Sequence, residues 1–163
     1  MLDDNLISGP ESPEPDTLSE DQKTLEPVRR SLREDGFWAY GTIDESNRWS
    51  IAVDDEIGRA DVRIGRDGFE IELRASSPGL YAEEDSPWRM QTRIRLARMT
   101  IPRIARGYLA EHQHAHWDET IEGVAVSETV EMPFHRAADI PQFIRERLPQ
   151  VEELVTLIES QLS

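Results

Sequence analysis

The stretch that most constrains this chain is "RWSIAVDDEIGRADVRIGRDGFEIELRA", residues 48–75. Trp49, Ile51 and Val53 recur at every second position, as do Val62 and Ile64, then Phe69, Ile71 and Leu73. A period of two matches a strand, whose side chains alternate between faces, and not a helix. "FWAYGTI" (37–43) and "RWSIAVD" (48–54) are separated by "DESN". "RADVRIG" (59–65) and "FEIELRA" (69–75) are separated by "RDG", a short connection ending in glycine. Such connections read as hairpin turns. The four runs therefore predict an antiparallel meander with one dry face and one wet face.

Helical periodicity flanks the meander. Leu25, Val28 and Leu32 form one stripe over residues 25–35, with Thr24 as cap, Pro27 in the first turn and Gly36 closing the helix. Ser86 and Pro87 open a longer helix reaching Leu109. Its stripe is Met90, Ile94, Ala97, Ile101, Ile104, Ala105 and Tyr108, and Pro102 is expected to kink it. "GVAVSETVEMPF" (123–134) reads as a strand with Val124, Val126, Val130 and Met132 on one face. A last helix follows Asp139 as cap, with Pro141 in its first turn and Pro149 interrupting it. Strands grouped between helices indicate an α+β fold, here an antiparallel sheet of five to six strands packed with three helices.

Residues 1–23 carry three prolines and seven acids and little that could form a core. They are predicted to be a disordered tail, leaving 24–163 as a single α+β domain. No apolar run approaches the ~20 residues of a membrane span, and the first residues lack a signal-peptide pattern. Net charge is −15, and Lys23 stands alone beside seventeen arginines. That balance points to a salt-adapted cytoplasmic protein, or else to a genome that favours arginine codons. It disfavours non-specific binding to nucleic acid or to an anionic membrane. The absence of cysteine excludes disulfides and thiolate chemistry.

Three side-chain patterns bear on function. His112, His114 and His116 alternate in "AEHQHAHWDE". On a strand they would share a face and could hold Zn²⁺ or Fe²⁺. They also fall just beyond the expected end of the long helix, where histidine suits the helix dipole. The run is therefore read as a junction into an edge strand over "HWDETIE", with no metal and no cofactor assigned. The second pattern is Arg89, Arg93, Arg95, Arg98, Arg103 and Arg106 on the long helix, with no acid among them. Guanidinium groups bind carboxylates and phosphates bidentately, so this helix could take an acidic partner or pair with the protein's own acids. Third, Leu96 and Met99 fall opposite the apolar stripe of that helix, among the arginines, as a second apolar face would. No catalytic residue set is present: there is no glycine-rich phosphate loop, serine elbow or zincin helix.

The region from Val28 to Leu162 resembles the YbjN / type III secretion chaperone-like fold. The resemblance rests on "VRRSLREDGF" before the first strand, the meander of residues 48–75, "RIRLARMTIPRIARGYL" as middle helix, and "GVAVSETVEMPF" followed by "IPQFIRERLPQVEEL". It implies a small, non-enzymatic binding module, often dimeric, that holds an extended segment of a partner. The expected function is chaperone- or adaptor-like binding of a protein of unknown identity, through the sheet surface and the partner-binding set Arg89, Arg93, Arg95, Leu96, Arg98, Met99, Arg103 and Arg106, with homodimerisation. One alternative is a metal-dependent enzyme or regulator using His112, His114 and His116. A second is a nucleic-acid-associated factor using the arginine helix.

Overall fold

A computed structural model describes residues 15–44, 46–77, 113–118 and 123–162, with isolated positions 95, 99, 101, 103, 106, 107 and 109. Within these the order is α1 (Pro15–Glu34), β1 (Ala39–Ile43), β2 (Trp49–Asp54), β3 (Gly58–Ile64), β4 (Gly68–Ser77), β5 (Gln113–Asp118), β6 (Gly123–Pro133), a 3₁₀ segment (Phe134–Asp139) and α2 (Ile140–Leu162). The fold is α+β, with one six-stranded antiparallel sheet in the order β1-β2-β3-β4-β6-β5. Two helices are established. Of the expected middle helix, Arg95, Met99, Ile101 and Arg103 have helical backbone, and the rest lies outside the described residues. So do residues 1–14 of the expected tail.

The described residues gather in two compact units. One falls within Met1–Val53, Asp61–Ile71 and Glu131–Pro141, the other within Asp54–Ala60, Glu72–Val130 and Gln142–Ser163.

In the first unit, α1 buries Leu25, Val28 and Leu32, the stripe read from the sequence. The helix starts at Pro15, well before Thr24. Thr24 is thus interior rather than a cap, and its hydroxyl donates to the Glu20 carbonyl. Pro27 is likewise inside the helix rather than in its first turn. The helix stops at glycine for a local reason. Gly36 has φ +98°, its N–H donates to the Arg33 carbonyl, and the Phe37 N–H donates to the Leu32 carbonyl. These two bonds satisfy terminal carbonyls in the Schellman arrangement, which needs a left-handed residue. α1 packs on β1 and on the 3₁₀ segment.

β1 and β2 pair antiparallel, with Ala39 opposite Val53 and Gly41 opposite Ile51. Asp44 closes their turn by accepting from the N–H groups of Ser46 and Arg48, and Asn47 takes φ 64°. One face of this pair carries Ala39, Ile51 and Val53 and is buried. The other carries Thr42 and Ser50 and is also partly covered, but by polar groups. Ser50 donates to Asp61 at 3.2 Å, and Arg63 donates to Glu70 at 2.9 Å and lies 3.5 Å from Asp44. Asp61 and Arg63 are both buried, which the sequence pattern did not single out. Phe69 and Phe134 meet edge to face at 5.0 Å.

In the second unit, β5 and β6 pair antiparallel, with Gln113 opposite Glu128, His116 opposite Ala125 and Asp118 opposite Gly123. α2 buries Ile144, Leu148, Val151, Val155 and Ile158 in this unit. Their helical spacing makes one stripe, and each such burial stabilises by roughly 1.5–3 kcal/mol. The helix runs through Pro149 without ending, contrary to the expected interruption. The stripe continues on both sides of the proline, and this burial outweighs the missing N–H and the ring clash. Asp139 lies in the 3₁₀ segment, where its carboxylate accepts from Arg136 at 2.8 Å.

Candidate interaction surfaces

The arginine-bearing segment is described at Arg95, Met99, Ile101, Arg103 and Arg106; Arg89, Arg93, Leu96 and Arg98 lie outside the described residues. Four-residue steps advance a helix by about 40°, so Arg95, Met99 and Arg103 span about 80° of one side. All three are exposed, Met99 at 71%. Ile101 falls about 240° from Arg95 and is buried at 1%. Arg106 is exposed in the turn beyond. The described positions therefore present a methionine between two arginines to solvent. An unbranched, polarizable side chain of this kind fits irregular apolar surfaces, and arginines beside it resemble the rim of an interface.

β5 begins at Gln113, so His116 belongs to a strand, as the edge-strand reading of "HWDETIE" expects, and His114, expected in the junction before it, belongs to the same strand. Both are exposed and share a face, because alternate strand residues point the same way. His112 lies outside the described residues. Among the described residues there is no group of three or more His, Cys, Asp or Glu side chains arranged to hold a metal ion. β5 ends the strand order, with β6 on its other side. A terminal strand offers backbone groups along one side to an added strand.

Sequence reasoning missed two groupings in the second unit. Glu128, on the apolar face of β6, is fully buried. It accepts from Gln113 Nε2 at 2.6 Å and from a guanidinium nitrogen of Arg147 on α2. Its parity with Val124, Val126 and Met132 was the available signal: a carboxylate in an apolar series must find charged partners. The other grouping is at the β2–β3 turn. There Glu152 of α2 faces Asp55, Glu56 and the backbone of Ile57 along a groove of about 300 Å³. Burial first, then a hydrogen bond with Asp55 and the charges of Asp55 and Glu56, push the Glu152 carboxyl up to about 7, against a backbone bond from Ile57. A Cβ placed on Gly58, the first residue of β3, would stand 2.7 Å from Glu152 Oε2, the far end of a flexible side chain, so a larger residue there would displace the carboxyl.

These features define an α+β protein with an antiparallel six-stranded sheet, a terminal strand at β5 and an exposed, arginine-flanked methionine. Comparison with protein families and with curated proteins gives no match. A solved structure described as an uncharacterized protein from Methanothermobacter thermautotrophicus is similar at 15% identity and a TM-score of 0.42, covering 86% of this chain and 99% of that one. Among the described residues no helix is long and apolar enough to cross a membrane.

Proposed function

We propose that this protein is a non-enzymatic binding module, chaperone- or adaptor-like, with the arrangement of the YbjN / type III secretion chaperone-like fold. The observation that carries the reading is Met99, 71% exposed between the exposed Arg95 and Arg103. An apolar centre with a guanidinium rim suits a partner surface that is apolar and ringed by carboxylates. A second copy of this chain is the partner proposed, since its acids outnumber its basic residues by fifteen and carboxylates for the arginines are abundant on it. Homodimerisation through this helix is part of the proposal, with partner binding also assigned to Arg106 and to Arg89, Arg93, Leu96 and Arg98, which lie outside the described residues. The sheet surface contributes through β5, whose outer side, unpaired among the described residues, can accept an extended segment of a protein partner. The reading places the protein in the cytoplasm, on its acid-rich, lysine-poor composition.

Met99→Asp tests it. The position is exposed, so the variant should keep the circular dichroism of the wild type. It should weaken self-association or partner capture, because it removes the apolar centre and offers Arg95 and Arg103 a carboxylate of their own helix in place of the partner's. Sedimentation of both proteins at matched salt, with pull-down from a high-salt lysate, reads the outcome. A monomeric wild type that recovers no partner, or an association unaffected by Met99→Asp, would sink the proposal.

A further inference from the structure

The second unit holds a pocket of about 490 Å³ that no part of the proposed function uses. Its volume lies within the ~300–1,000 Å³ of small-molecule sites. The lining comes from four strands and one turn. Arg59 opens β3, Arg74 and Ser76 lie near the end of β4, Asp118 ends β5, and Asp55 and Glu56 sit at the β2–β3 turn. Ile57, Gly58, Ala75 and Ala125 supply the rest.

The charges are ordered along the sheet. β3 and β4 are neighbours in the strand order, so the two guanidinium groups come from adjacent strands. Acids stand to either side, from the β2–β3 turn and from the terminal strand β5. Arg59 lies 3.7 Å from Asp54, a loose pairing. Arg74 is exposed and makes no ion pair or hydrogen bond among the described residues. The turn that brings the acids in is held by the Asp55 N–H donating to the Gly58 carbonyl at 2.8 Å. The Ser76 N–H also donates to the Ile57 carbonyl at 3.0 Å. The lining is therefore carried on a hydrogen-bonded frame.

This lining selects by charge. A dianion such as phosphate would meet Arg59 and Arg74 but also three carboxylates and the net charge of −15. A simple cation would meet the two guanidinium groups. A bulky apolar ligand would strip water from five charged side chains and find one large apolar side chain, Ile57, to pack on. A molecule with one carboxylate and one ammonium group satisfies both kinds of lining, the carboxylate on the arginines and the ammonium on an acid at either end. We infer that the pocket formed by Arg59, Arg74, Ser76 and the flanking acids Asp55, Glu56 and Asp118 binds a small zwitterion, a free amino acid or a short peptide. Arg74 is the principal carboxylate donor, because its guanidinium enters the complex without giving up a partner among the described residues.

The test is calorimetric titration of the full chain with four probes: Ala-Ala, its N-acetyl form, its C-terminal amide and inorganic phosphate. Ala-Ala should bind. Removing either charge should weaken binding roughly tenfold or more, the scale of a lost charge-assisted hydrogen bond. Phosphate should not compete. Arg74→Ala should lose Ala-Ala by a similar factor with an unchanged circular dichroism spectrum. Arg74→Lys keeps the charge without the planar fork and should bind between the two. The inference is overturned if Ala-Ala does not bind at millimolar concentration, if the amide or N-acetyl form binds as well as the free dipeptide, if phosphate displaces it, or if both Arg74 variants bind like the wild type.

Discussion

Gln113 Nε2 donates to Glu128 Oε1 at 2.6 Å, across the residue pair that joins the terminal strand β5 to β6. The same carboxylate takes Arg147 of α2. One fully buried acid thus ties a strand end to a helix. Glu128→Ala leaves the Arg147 guanidinium, 30% exposed, without that acceptor. Breaking a buried pair from one side costs about 3–5 kcal/mol, and the partial exposure of Arg147 puts the expectation near the lower figure. Combining Glu128→Leu with Arg147→Met should cost less than Glu128→Ala, since neither charge is then buried. Urea unfolding of the three variants measures this. A Glu128→Ala midpoint equal to that of the wild type would show that the network carries no stability.

Glu152 sets a pH dependence. Its carboxyl is pushed up to about 7, from an ordinary value of 4.5 in the unfolded chain. Between those values the folded protein binds the extra proton, so raising the pH destabilises it. The favourable contribution is complete below about pH 4.5 and is lost as pH rises through about 7. Glu152→Gln cannot ionise. Its melting temperature relative to wild type should therefore rise between pH 5 and pH 8. A difference that stays constant over that range would mean that Glu152 titrates alike in both states.

Two glycines should rank in a fixed order when changed to alanine. A Cβ on Gly68 would stand 2.4 Å from the Met132 carbonyl oxygen, a backbone atom that cannot step aside. A Cβ on Gly41 would stand 2.2 Å from the Trp49 ring, a side chain that can rotate away. Overpacking costs about 1–3 kcal/mol. Gly68→Ala should fall toward the upper end and Gly41→Ala toward the lower. Denaturant midpoints check the order, and its reversal would mean that the strands separate more easily than the indole moves.

The acid excess predicts a salt requirement. At 0.01 M salt the screening length grows to about 30 Å, and repulsion among carboxylates acts across the whole molecule. The melting temperature should rise steadily between low and molar salt. A flat profile would remove salt adaptation as the reason for the −15 charge.

What the sequence determined by itself is the local part of this protein. The alternation of Ile51, Val53, Ile71 and Leu73 specifies strands, because a period of two has one geometric solution. Leu25, Val28 and Leu32 specify a helix and Gly36 its end, because the left-handed turn is a property of a single residue. The exposure of Met99 opposite the burial of Ile101 likewise follows from helical spacing. Other features depended on partners distant in the chain. Thr24 and Pro27 mimic a helix start, but α1 extends back to Pro15. Pro149 mimics a helix end, but Leu148 and Val151 are buried on either side of it and hold the helix together. Glu128 is an acid like its many neighbours until Gln113 and Arg147 are brought to it. The same holds for Glu152 at Asp55, and for Arg59 and Arg74 around one pocket. Backbone periodicity is encoded within a few residues, whereas the burial of a charge depends on which residues the tertiary structure sets within hydrogen-bonding reach.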